Sequence, residues 1–118
     1  MNDAIRITTE AKPGRVTILR VEGRLDARAT DVLEARAKDV AAEGRNLLVN
    51  MKGVTFIGSS GVGLMLTLTE EFREQAGSVR FVELSPPVRT VVELLQMMDL
   101  IGVDSSEDAA LRMLQAAA

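Results

Sequence analysis

The chain has no cysteine, histidine, tryptophan or tyrosine. Without cysteine there is no disulfide frame and no thiolate nucleophile, which suits a reducing cytoplasm, the expected location. Without histidine the commonest general base and transition-metal ligand are missing. A Ser-His-Asp or Cys-His site cannot be assembled from this chain alone. Its carboxylates and lysines form no pair that stands out at a loop cluster, so no catalytic residue, metal or cofactor is expected. Apolar runs long enough to span a bilayer (~20 residues) are absent, and no membrane association is expected. The start, Met1-Asn2-Asp3-Ala4, lacks the basic and apolar regions of a signal peptide. Linkers, repeats and low-complexity tracts are missing too.

What is present describes one ordinary domain. The 118 residues are 47% hydrophobic and 26% charged, so residues 1–118 are read as a single domain with one core. The net charge of −3 argues against direct nucleic-acid binding. Ten of the 14 Lys and Arg lie in residues 1–52, an asymmetry read as solvated faces.

Ile5 and Ile7 alternate with Arg6 and Thr8, as in a half-buried strand. Lys12-Pro13-Gly14 is a turn, and Val16 to Glu22 a second strand ended by Gly23, giving an antiparallel hairpin. Ala29, Val32, Leu33, Ala37, Val40 and Ala41 recur at helical spacing up to a stop at Gly44. Leu47 to Met51 is apolar without alternation, as in a central strand covered on both faces. A helix over Gly61–Gln75, a strand over Val79–Leu84, a helix capped by Ser85 and begun by Pro86-Pro87, and a last helix opened by Ser105-Ser106-Glu107-Asp108 complete the chain. This order predicts an α/β fold: a mixed sheet of four to five strands with helices packed over it.

The run Ile57-Gly58-Ser59-Ser60-Gly61-Val62-Gly63 sits where a strand turns into a helix. A helix N-terminus has unpaired N–H groups and favours an anion. A nucleotide loop does not fit, because no lysine follows Lys52 and the G-x-G-x-x-G fingerprint is absent. Nor does the nucleophile elbow, since Val62 stands where G-x-S-x-G needs glycine. Two readings remain. Gly61 and Gly63 serve tight packing beside a serine cap, or they keep the helix start slim for an approaching protein. In the second reading a phosphate on serine would be tolerated by the helix dipole but not by a partner. The apolar arc of Val62, Leu64, Met65, Leu66, Leu68 and Phe72 is likewise either wholly packed or offers Leu64 and Leu68 to a partner.

Leu47 to Gly63 resembles the signature of STAS domains, the bacterial anti-sigma factor antagonists: a strand, a D-S-S-G-L-G-like loop, then a helix. Val21-Glu22-Gly23-Arg24-Leu25-Asp26 resembles that family's G-x-L-D turn. Leu84-Ser85-Pro86-Pro87-Val88-Arg89 is similar to its L-S-P-x-V helix start, and Asp104 to Leu111 to its ending. The four motifs follow in order over nearly the whole chain. The resemblance implies a non-enzymatic regulator that switches partners. An unphosphorylated antagonist binds a serine-kinase anti-sigma factor and so releases a sigma factor. The kinase phosphorylates the first serine of the pair, and a PP2C-type phosphatase resets it. That serine is Ser59, with Ser60 as the alternative. Arg24, Leu25, Asp26, Gly58, Ser59, Ser60, Gly61, Val62, Gly63, Leu64 and Leu68 would lie at the partner face, and the free protein would be a monomer. Gly58 stands where many members carry aspartate. Another regulatory output, such as secretion or a stress scaffold, and a small subunit of a lipid-transport ABC system are the alternative readings.

Overall fold

The computed structural model describes residues 4–116. β1 (Arg6–Lys12) and β2 (Val16–Leu25) pair antiparallel from Arg6↔Glu22 to Lys12↔Val16. The turn between them holds Gly14 and Arg15 at positive φ. Then follow α1 (Ala27–Ala42), β3 (Asn46–Ile57), α2 (Ser59–Glu74), β4 (Val79–Val82), α3 (Pro86–Leu94), β5 (Val103–Asp104) and α4 (Glu107–Ala116). The sheet order is β1-β2-β3-β4-β5, and every pair after the hairpin is parallel.

This topology dictates where the helices lie. Parallel crossovers are right-handed almost without exception, and here successive strands step in one direction, so the three crossover helices share one face. Leu19, Val21, Leu47, Val49 and Phe81 meet α1, α2 and α3 there in the main core. The opposite face needs a helix that is not a crossover. α4 supplies it, packing Ala110 and Leu114 on Val16, Ile18, Leu48 and Val82. β3 is therefore covered on both sides, as its unbroken apolar run requires.

Three boundaries and one short strand differ from the sequence reading. Gly23 does not end β2. With φ 107° it sits in an irregularity that lets the strand run on to Leu25. β4 stops at Val82, before Glu83 at φ 52°. The two-residue β5 is too short to show as a pattern. α2 begins at Ser59 rather than Gly61. Ser106 caps α4, its hydroxyl accepting from the Ala109 N–H at 3.2 Å. Ser85 holds the cap position of α3, but its buried hydroxyl makes no cap bond. Pro86 and Pro87 have no N–H to offer it. Ala117 and Ala118, expected in the last helix, lie outside the described residues, as do Met1 to Asp3.

α4 is tied to the sheet by charge. Arg20 donates to both Glu107 carboxylate oxygens at 2.7 and 3.0 Å, and Asn50 donates to Oε1 at 2.8 Å. Glu10 accepts from the same guanidinium at 2.9 Å. The hydrogen bonds from Arg20 hold the Glu107 carboxyl below its ordinary pKa of 4.5, against a smaller opposing effect of burial. A carboxyl depressed by folding contributes stability that is complete above its ordinary range and is lost as pH falls through the folded value. The stability this tie contributes should therefore start to fall as pH drops below 4.5. Glu107→Gln should be less stable than the parent by about 1–2 kcal/mol at pH 7 and show a shallower acid limb. Denaturant melts across pH check both; an unaltered limb would count against this tie.

Candidate functional site

β2 and β3 end side by side, with Leu25 opposite Ile57, and the Gly58 N–H donates to Leu25 O at 3.2 Å. Each strand then starts a helix. Asp26 caps α1, its Oδ1 accepting from the Ala29 N–H at 2.9 Å. Gly58 caps α2 through its carbonyl, which accepts from the Gly61 and Val62 N–H groups at 3.1 and 3.2 Å. Because Gly58 has no side chain, α2 lacks a side-chain cap bond. Ser59 and Ser60 are its first two residues, so neither serine is the cap that the sequence suggested. Both are exposed.

The two glycines behind the serines differ. A Cβ on Gly61 would stand 2.8 Å from Ile57 Cγ1 and 3.2 Å from Leu25 Cδ2, so this glycine lets the helix touch its own strands. A Cβ on Gly63 would meet nothing within 4 Å. Gly63 is exposed and leaves the helix start slim on the outside. The packing explanation therefore holds for Gly61 and fails for Gly63.

The remaining sequence-selected residues divide the same way. Arg24, Asp26, Ser59, Ser60 and Gly63 are exposed and share one rim, with Gly58 half-buried among them. Leu25, Val62, Leu64 and Leu68 are at most 5% exposed and belong to the main core. The broad apolar arc of α2 is thus a packed one, and Leu64 and Leu68 face the protein itself. Sequence reasoning missed Phe56. It is 37% exposed at the rim, whereas Phe72 and Phe81 are buried. The Arg24 guanidinium lies 4.2 Å from its ring centroid. No alternation announced it: Phe56 shares the strand parity of the buried Val54, yet stands exposed near the end of β3. Arg24 also lines a cavity of about 260 Å³, together with Ile5, Asp26, Arg28, Ala29 and Val32 among others.

Among the described residues no group of acidic side chains gathers to hold a metal ion, and no helix is long and apolar enough to cross a membrane. The site offers exposed hydroxyls at a helix N-terminus, an aromatic ring, and a guanidinium over that ring that pairs with no carboxylate among the described residues. Chemically it can accept and hold a covalent anion.

Residues 7–110 match the family model of the STAS domain. The chain belongs to the STAS domain family. Proteins it resembles include anti-sigma factor antagonists. One, the anti-sigma F factor antagonist of Lysinibacillus sphaericus, is 28% identical over 80% of this chain and 81% of its own length. An anti-sigma factor antagonist from Mycobacterium paratuberculosis has the same fold, with a TM-score of 0.85 at 23% identity over 98% of this chain and 97% of that one. Bacillus SpoIIAA, an anti-sigma factor antagonist, is similar in its unphosphorylated form, with TM-score 0.75 and 25% identity over 92% of this chain and 96% of that one. Its phosphorylated form is similar too, with TM-score 0.71.

The glycine contrast predicts opposite effects in denaturant melts. Gly63→Ala should stabilise the fold by up to about 1 kcal/mol, the helix-propensity gain. Gly61→Val should destabilise it by about 1–3 kcal/mol through overpacking against Ile57 and Leu25. Equal effects at the two positions would contradict the packing described.

Proposed function

We propose that this STAS domain is an anti-sigma factor antagonist governed by phosphorylation of Ser59, and that it is not itself an enzyme. The unphosphorylated form binds a serine-kinase anti-sigma factor across the rim of Arg24, Asp26, Gly58, Ser59, Ser60 and Gly63. Leu25, Gly61, Val62, Leu64 and Leu68 support that rim from beneath. In the transfer the Ser59 hydroxyl oxygen takes the γ-phosphoryl group of ATP and ADP leaves. The hydroxyl proton passes to a base of the kinase. A PP2C-type phosphatase reverses the modification by hydrolysis.

The observation that carries this reading is the exposure of Ser59 at the first position of α2, beside a cap residue without a side chain. SpoIIAA, which exists in phosphorylated and unphosphorylated forms, supports it. The choice of Ser59 over Ser60 rests on the resemblance of the loop to the family pattern. Phosphate adds about −1.5 to −2 charges. At a helix N-terminus such charge is favourable by about 0.3–1 kcal/mol, so the fold tolerates it. A partner surface that is apolar or acidic does not. The switch therefore acts at the interface and leaves the backbone in place.

Incubation with the cognate kinase and ATP, followed by mass spectrometry, should place one phosphate on Ser59 and none on the Ser59→Ala protein. Ser59→Asp should weaken kinase binding at least about tenfold, equivalent to about 1.4 kcal/mol. Phosphate elsewhere, or undiminished binding by Ser59→Asp, would overturn the proposal. Gly58→Asp should fold normally. Gly58 has φ −95°, open to any residue, and a Cβ there would stand 3.6 Å from Phe56 Cε2 in ordinary contact. The added carboxylate should cap α2 and stabilise the protein by a few tenths of a kcal/mol in the same melts, roughly the gain of a side-chain cap over glycine.

A further inference from the structure

The geometry points to Arg24 as the internal partner of a phosphate on Ser59, with Phe56 as the platform that holds its guanidinium in place. This inference rests on the reading of Ser59 as phosphoacceptor.

Arg24 and Phe56 lie directly opposite each other across β2 and β3, one residue before the ends of both strands. The guanidinium carbon lies over the ring, 4.2 Å from its centroid. A guanidinium held against a ring by its face keeps its N–H groups, which radiate in the plane, available to donate. Among the described residues no carboxylate pairs with Arg24. The nearby Asp26 has a carboxyl oxygen committed to the Ala29 N–H. By contrast Arg20 and Arg80 are held by Glu107 and Asp104 at 2.7 Å.

The same ring reaches the phosphoacceptor loop. A Cβ on Gly58 would lie 3.6 Å from Phe56 Cε2 and 3.8 Å from Cζ. The ring thus spans from the guanidinium to the residue bonded to Ser59. Because position 58 is glycine, it places no side chain against the ring, where a Cβ would lie 3.6 Å from Phe56 Cε2. Phosphorylation then alters two charges seen by a partner: it adds an anion and occupies the cation of Arg24.

The test needs no kinase. Phosphoserine is installed at position 59 during synthesis, and its second ionisation, ordinarily near pH 6, is followed by phosphorus NMR in the full chain. The parent should titrate about half a unit or more below the Arg24→Gln protein, because a paired cation favours the dianion. Arg28→Gln removes the same charge from the neighbouring cavity and should titrate with the parent. Arg24→Lys, which keeps the charge but loses the planar fork, should fall between. Identical titrations of the parent and Arg24→Gln would overturn the inference. So would equal shifts from Arg24→Gln and Arg28→Gln, which would show only a general field. A kinase that left Ser59 unmodified would defeat the proposed function and leave this titration standing.

Discussion

Close contact between Gly61 and the strand-end side chains Leu25 and Ile57 is the constraint on which the site depends. It draws the first turn of α2 against the parallel pair β2–β3, so the helix starts at the strand ends with almost no loop. The Gly58 N–H to Leu25 O bond locks that junction from the backbone side. With the helix anchored from beneath, Ser59 and Ser60 have nowhere to go but outward. A rigid support under an exposed hydroxyl is what a covalent charge switch needs, because the modification then alters a surface and not a fold.

The rest of the architecture serves that junction. Strands that step in one direction place α1, α2 and α3 on one face, where they bury Leu19, Val21, Leu47 and Val49. The other face is closed by α4 alone, through a smaller apolar cluster and the Arg20–Glu107–Asn50 bonds. Core and polar tie lie along the middle of the sheet, leaving Arg24 and Phe56 exposed at its end.

Much of this was legible in the sequence. The unbroken apolar run Leu47–Met51 marked the central strand, because burial on both faces removes alternation. Gly44, at φ 70°, ended α1 as expected. The signature around Ser59 identified the family and the candidate site together. What escaped was set by tertiary context. Gly23 reads as a breaker, yet a bulge absorbs it because β3 continues alongside. Leu64 and Leu68 could be read as a binding margin because a helical stripe does not say what covers it. The serine pair looked like a cap because serine favours caps, but the carbonyl of Gly58 takes that place. Pairing of Arg24 with Phe56 depends on register across two strands, which no local pattern carries.

The central claim is that a phosphate on Ser59 changes the charge of a fixed surface. Amide chemical shifts of the unmodified protein and of protein carrying phosphoserine at position 59 test it most directly. The account predicts changes confined to the start of α2 and the adjoining ends of β2 and β3, with the sheet and α4 unmoved. Shift changes spread through β3, β4 and α4 would contradict it, since they would mean that the modification acts by rearranging the fold.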